Sequence, residues 1–141
     1  MKIKTFVICW LPSFIVFFGL NGIFHSLLAA SYFDEQLSAF RPSIKLMSDV
    51  NPVWVGLLDV LLVFGMTYFI VYRQGLKIEY GRAVLAGALI NLISSGAWNF
   101  ANTAMFEGWP FSLTMVDILW HVVLGAAGGA LIAWLYNRFN K

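Results

Sequence analysis

Charge is scarce in this chain of 141 residues. Only 11% of them are Asp, Glu, Lys or Arg, and 60% are apolar, whereas a soluble domain averages about 25% charged. That shortage excludes a soluble enzyme and a disordered tail. It also excludes a nucleic-acid module, because nine scattered basic residues make no phosphate-tracking surface. Cysteine is scarcer still: Cys9 stands alone, so neither an internal disulfide nor a Cys-rich metal site is available. No nucleophile elbow, phosphate loop or H-E-x-x-H signature occurs. What remains is an integral membrane protein of one domain, with the lipid bilayer as its partner and no nucleic acid expected.

Long uncharged runs are what the sequence has instead. Thr5 to Ala30 and Ala83 to Met105 carry no formal charge, Val53 to Tyr72 carries only Asp59, and Phe111 to Tyr136 only Asp117. A helix crosses the hydrocarbon in about 20 apolar residues. The expectation is therefore an all-α membrane protein with four transmembrane helices, over about 5–30, 53–72, 83–105 and 111–136, in an up-down bundle. Lys2 and Lys4 before an apolar run, with Ala29 and Ala30 after it, also describe a secretory signal; the run is too long for one, and the segment reads as a retained helix.

The basic residues set the direction. Lys2, Lys4, Arg73, Lys77, Arg82, Arg138 and Lys141 fall on one side and only Arg41 and Lys45 on the other. By the positive-inside rule both termini are expected in the cytoplasm and the 31–51 loop outside. Helix starts agree: Asn51 can cap a helix that begins at Pro52, and Trp109-Pro110 opens the last one. Trp10, Trp54, Trp109 and Trp134 lie near span ends, where indoles favour the headgroups. Pro12 removes one backbone bond and is expected to bend the first helix. The outer loop mixes charges with Leu37, Phe40, Ile44, Leu46 and Met47, so a short surface helix is expected in it, either as a cap on the bundle or as an interfacial linker.

The two halves share a pattern. Pro52 is followed after six residues by Asp59-Val60-Leu61, and Pro110 after six by Asp117-Ile118-Leu119. This reads as a duplicated helical hairpin about a twofold axis along the membrane normal. It sets the two aspartates at one depth, about 7 residues or roughly 10 Å inside the outer boundary.

Polar side chains converge at that depth. Asn21 and His25 share a face of the first helix; Asn91, Ser95, Trp98 and Asn102 follow helical spacing on the third, with Asn99 beside them; Thr114, Asp117 and His121 form a stripe on the fourth. Asn91, Ser94 and Ser95 read most simply as helix-to-helix packing groups. Carboxylates at this depth are costly unless they turn inward and are paired, so Asp59, Asp117 and His121 are expected to face one interior. Asn21, His25, Trp98, Asn99 and Asn102 would line an outward-opening approach to it. Three chemistries fit: a divalent metal on Asp59, Asp117, His121 and His25; carboxylates that share a proton; or a small amphipathic ligand between the amides and Trp98 and Trp120. A bis-histidine haem fits less well, since helical rise puts His25 roughly 9 Å nearer the outer surface than His121. Gly125 and Gly129 form a G-x-x-x-G pair, expected to pack inside the bundle or to make a homodimer contact.

The C-terminal half resembles a known family. Trp98-Asn99-Phe100-Ala101-Asn102, the Trp109-Pro110 turn and Val116-Asp117-Ile118-Leu119-Trp120-His121 are similar to the signature of the bacterial domain-of-unknown-function family 2177, small four-helix membrane proteins. The run LNGIFHSLLAASYFDEQLS in the first helix resembles that family's Leu-Asp-x-x-Trp-x-Gly run. Asn21 and Asn99 stand where the family shows aspartate, and His121 where it shows glycine. The resemblance implies the fold, the topology and a bacterial inner (plasma) membrane location; it carries no activity and names no cofactor. The leading expectation is a multi-pass protein that binds a small ligand or ion in an outward-facing polar pocket, in connection with transport. The alternative is a non-catalytic accessory subunit of a larger membrane complex, and an enzyme comes third.

Overall fold

A computed structural model of the chain describes residues 3–41, 43–72 and 77–140. Lys2, Arg73 and Lys141, three of the basic residues used for orientation, lie outside the described residues. Helix α1 (Ile3–Ile23) passes directly into a π turn (Phe24–Leu28), and the two form one span. Then come α2 (Ala30–Gln36), two short 3-10 turns, and three more spans: α3 (Pro52–Tyr72), α4 (Tyr80–Met105) and α5 (Phe111–Phe139). The architecture is a four-helix membrane bundle, and no strand occurs among the described residues.

Local chemistry accounts for the boundaries. Asn51 Oδ1 accepts the Val53 N–H at 2.9 Å, a side-chain cap on a helix whose first residue is Pro52. Pro110 stands one position earlier than expected, as the extended residue before Phe111. Pro12 does not interrupt α1. The departure from α geometry comes instead at the π turn, where the Ala29 N–H reaches the Phe24 carbonyl five residues back at 2.8 Å.

The 31–51 loop is a cap. Phe33 of α2 and Leu37 just after it are buried with Ala29 and with Leu113 of α5. Asp34 fixes the return path by accepting from Arg41 and from the Met47 N–H, both at 2.9 Å. The short helix expected around Leu37, Phe40, Ile44, Leu46 and Met47 is replaced, among the described residues, by the two 3-10 turns Ser38–Phe40 and Met47–Asp49; the helix that forms, α2, ends at Gln36 and lies over the end of the bundle opposite the termini.

Helix α5 packs against each of the other three spans, while α1 and α4 barely touch. The α4–α5 seam is glycine-lined. A Cβ at Gly125 would overlap the Gly87 carbonyl oxygen and the Asn91 side chain, and one at Gly129 would overlap the Ala83 carbonyl oxygen. Of the two placements expected for Gly125 and Gly129, this is the internal one: both face α4 of the same chain, where only hydrogen side chains let the backbones approach. The α1–α3 seam is built from larger groups, with Phe6 edge-on to Phe64 at 5.0 Å and the Trp10 indole N–H directed at the Val60 carbonyl. Phe17, Val63, Met66, Ile70, Leu124 and Ile132 fill the centre, and the outward faces carry Leu, Ile and Phe for lipid.

Candidate functional site

Two turns into α5 from the α2 end, Asp117 is met from three helices. Asn99 of α4 donates its Nδ2 hydrogens to Asp117 Oδ2 at 2.6 Å and to the Ser95 carbonyl at 3.0 Å. His25, in the π turn that ends the first span, places Nε2 3.0 Å from Asp117 Oδ1 and Nδ1 3.1 Å from the Asn21 carbonyl. His121, one turn further along α5, directs Nδ1 at the Asp117 carbonyl at 2.8 Å, with Oδ1 of the same residue at 3.4 Å. π turns recur at functional sites because the extra residue re-aims a side chain; here the re-aimed residue is His25.

Asn21 joins this group to the second carboxylate. Its Nδ2 faces the two Asp59 oxygens at 3.3 and 3.4 Å, and its Oδ1 accepts the Trp120 indole N–H at 3.1 Å. Trp120 stacks on Phe24 with centroids 4.1 Å apart, and Phe33 of the cap lies 5.1 Å from the His25 ring. The result is one connected set running Asp59, Asn21, His25, Asp117 and then Asn99 and His121. Each hairpin carries one Asn-to-Asp bond, Asn21 to Asp59 in the first and Asn99 to Asp117 in the second.

The two His25 contacts ask for protons on different ring nitrogens. Its two ring nitrogens face two oxygens, a backbone carbonyl and a carboxylate, and a carbonyl only accepts. Nδ1 must donate to the Asn21 carbonyl, which leaves Nε2 bare in the neutral ring. Its contact with Asp117 is then a hydrogen bond only if a further proton lies between them, on the ring or on the carboxyl. Both contacts are hydrogen bonds at once only when the pair shares one proton beyond a neutral imidazole and a carboxylate.

Several sequence expectations change here. Trp98 does not line the site: it is 68% exposed on the outward face of α4. The buried stripe of α4 advances in steps of four through Asn91, Ser95 and Asn99, which leaves Trp98, 100° round the helix, pointing out. Asn102 is buried, yet among the described residues no hydrogen bond ties its side chain to the cluster. The two imidazole rings lie closer than the roughly 9 Å expected from helical rise, with centroids 5.8 Å apart and both rings beside Asp117. As for the metal candidates Asp59, Asp117, His121 and His25, among the described residues no three His, Cys, Asp or Glu side chains are disposed to hold a metal ion. The imidazoles spend nitrogens on Asp117, and Asn21 stands between Asp59 and the rest. Thr103, whose Oγ1 bonds the Asn99 carbonyl at 2.9 Å and meets Thr114 Oγ1 at 3.1 Å, supports Asn99 from behind. Its i+4 relation to Asn99 was the signal for it; nothing in the sequence marked Phe24 or Phe33.

A groove of about 220 Å³ lies nearer the termini, between α1 and α5, lined among others by Ser13, Phe17, Leu20, Leu124 and Gly128. None of the side chains singled out for the polar site borders it.

A family model described as a predicted membrane protein, DUF2177, matches residues 6–135, nearly the whole chain. The chain belongs to the DUF2177 family. No curated protein and no solved structure matches it. With four spans long and apolar enough to cross a bilayer, this member of the DUF2177 family is a multi-pass membrane protein in contact with lipid.

Proposed function

We propose that this protein binds an exchangeable ion in the outer half of the membrane, that the ion is the proton, and that the binding serves transport. The observation that carries the reading is His25 held between two acceptors, the Asn21 carbonyl and Asp117. Three features support it. A proton needs no cavity, and the cluster's polar atoms already lie within hydrogen-bonding distance of one another. Two carboxylates and two imidazoles balance in charge when both rings are protonated, so loss of one proton leaves a net charge in a low-dielectric setting, a state that costs several kcal/mol. Histidine exchanges protons in the physiological range. The orientation proposed with it places both termini in the cytoplasm of a bacterial cell and α2 outside. A thiol placed at Ser38 is then labelled from outside intact cells, and one at Lys77 only after permeabilisation.

Infrared difference spectra of the protein in vesicles, taken between about pH 5 and 8, test the site. Wild-type protein is expected to show paired carboxyl and imidazole bands that vanish in Asp117→Asn. Spectra without titrating bands, or bands that persist in Asp117→Asn, overturn the reading.

A second reading has its own observation. All four spans in the outer half are linked into this network, α4 to α5 through Asn99 and Asp117, α1 to α3 through Asn21 and Asp59, and the first span to α5 through His25 and Trp120, which is what a packing belt in an accessory subunit requires. A variant Asp117→Asn that loses the folded bundle without any titrating band in the wild type favours that reading.

A further inference from the structure

Below the outer cluster lies a second polar layer. Three fully buried side chains on three different spans carry an oxygen with no hydrogen-bond partner among the described residues: Ser13 Oγ on α1, Thr67 Oγ1 on α3 and Asn91 Oδ1 on α4. Their positions repeat the register of the cluster. Ser13 is eight residues from Asn21, Thr67 eight from Asp59 and Asn91 eight from Asn99, each about 12 Å nearer the termini by helical rise. The members of the outer layer are bonded to one another, Asn21 to Asp59 and Asn99 to Asp117, so the same step along every helix brings the inner three to a common depth.

A buried polar atom without a partner costs about 1–3 kcal/mol, and three at one level in a membrane interior require a shared explanation. Apolar packing does not supply it. Asn91 uses its Nδ2 on the Gly87 carbonyl at 3.0 Å and on Met66 Sδ, which leaves its acceptor oxygen unused. Ser13 is the one polar side chain on the otherwise apolar groove of the α1–α5 seam, which leaves its buried oxygen to be met from the bundle interior. Two hydroxyls and an amide oxygen offer donors and acceptors to water, and they carry no charge that would trap a cation. The interval between the layers also holds polar groups. His121 hangs from Asp117, and Ser95 Oγ bonds the Asn91 carbonyl at 2.7 Å. Beyond the inner layer the buried stripe of α1 continues through Cys9 to Thr5 at the terminal face.

We propose that Ser13, Thr67 and Asn91 bind a mid-membrane layer of water that carries protons between the His25–Asp117 cluster and the face bearing the termini. The inference rests on the proton-binding reading of that cluster and gives it a route. A proton taken up by one water and released by the next leaves each hydroxyl and amide unchanged, so the layer conducts without being consumed.

The test uses the full chain in vesicles that contain a pH-sensitive dye, under an imposed pH gradient. The variant is Ser13→Ala with Thr67→Val, two replacements that keep volume and spare Asn91, whose amide packs the α4–α5 seam. Wild-type protein is expected to dissipate the gradient at least tenfold faster than empty vesicles, and the double variant to lose most of that rate. The variant is also expected to keep the infrared bands of the His25–Asp117 pair and to lose a water O–H band that shifts in H₂¹⁸O. An unchanged rate in the double variant, or wild-type vesicles that hold the gradient as long as empty ones, overturns the route while the cluster's bands stand. Absence of those bands in the wild type overturns the cluster reading instead, and with it the route.

Discussion

The two hairpins carry the same bond and use it differently. In the first, Asn21 faces Asp59 at 3.3 and 3.4 Å, and Asp59 has no other hydrogen-bond donor among the described residues. In the second, Asn99 meets Asp117 at 2.6 Å and two imidazoles complete the carboxyl's surroundings. The seams differ in the same sense. Glycines bring α4 and α5 into backbone contact, while α1 and α3 are held apart by Phe6, Trp10 and Phe64. Close approach shortens the amide–carboxyl bond, and the π turn then brings His25 across from α1. A shared pattern of residues thus becomes a closely surrounded carboxyl in only one hairpin, because the helix packing differs.

The largest effect is expected from breaking the tighter seam. Gly125→Leu drives a side chain into Gly87 and Asn91 and should cost about 3 kcal/mol or more, at the upper end of overpacking. Gly65→Ala in α3, where no atom lies within 4 Å of the added carbon, should be neutral or raise stability by a few tenths of a kcal/mol, because alanine has the better helix propensity, by about 1 kcal/mol in an exposed interior. Thermal unfolding in detergent, followed by size-exclusion chromatography, measures both. An intact bundle that merely changes from dimer to monomer in Gly125→Leu would contradict the intrachain placement of the glycines.

Next comes the contrast between the carboxyls. Asp117→Asn removes the charge and one of the two acceptor oxygens that His25 and Asn99 share and should lower stability by about 2–3 kcal/mol, the scale for a broken buried charge-assisted network. Asp59→Asn keeps the shape and disturbs one long amide contact, so a loss of about 1 kcal/mol or less is expected. Equal losses in the two variants would remove the asymmetry argued above.

The smallest effects separate the two tryptophans. Trp120→Phe deletes the donor to Asn21 Oδ1 but keeps an aromatic ring against Phe24, and should cost about 1 kcal/mol and alter the Asp59 environment in infrared spectra. Trp98→Leu, on the exposed face of α4, should stay within about 0.5 kcal/mol. A larger loss at Trp98 than at Trp120 would mean that the face of α4 assigned to lipid is buried.

The spans were legible because a bilayer imposes a length and forbids unpaired charge, so runs such as Ala83 to Met105 are marked by what they omit. The depth of Asp59 and Asp117 was legible for a related reason: residue counts from Pro52 and Pro110 fix height along a regular helix. Azimuth was less so. On α4, positions 98 and 99 both continue a helical stripe from Asn91 and Ser95 within the tolerance of a sequence pattern. Only the drift of four-residue steps, set by packing against Gly125 and Gly129, turned Asn99 inward and Trp98 out. The same held for Ser13 and Thr67, unremarkable as single polar residues in apolar helices until their common depth and unpartnered oxygens came together.

The sequence by itself determined that this protein crosses a membrane four times and which polar residues share a level, since both follow from one-dimensional spacing and the cost of charge in hydrocarbon. Which of those residues touch was decided by tertiary structure alone. Helix rotation, the glycine-permitted approach of α4 to α5 and the π turn that aims His25 are properties of facing surfaces, and the 2.6 and 3.0 Å distances from Asn99 and His25 to Asp117 arise only once several helices have packed.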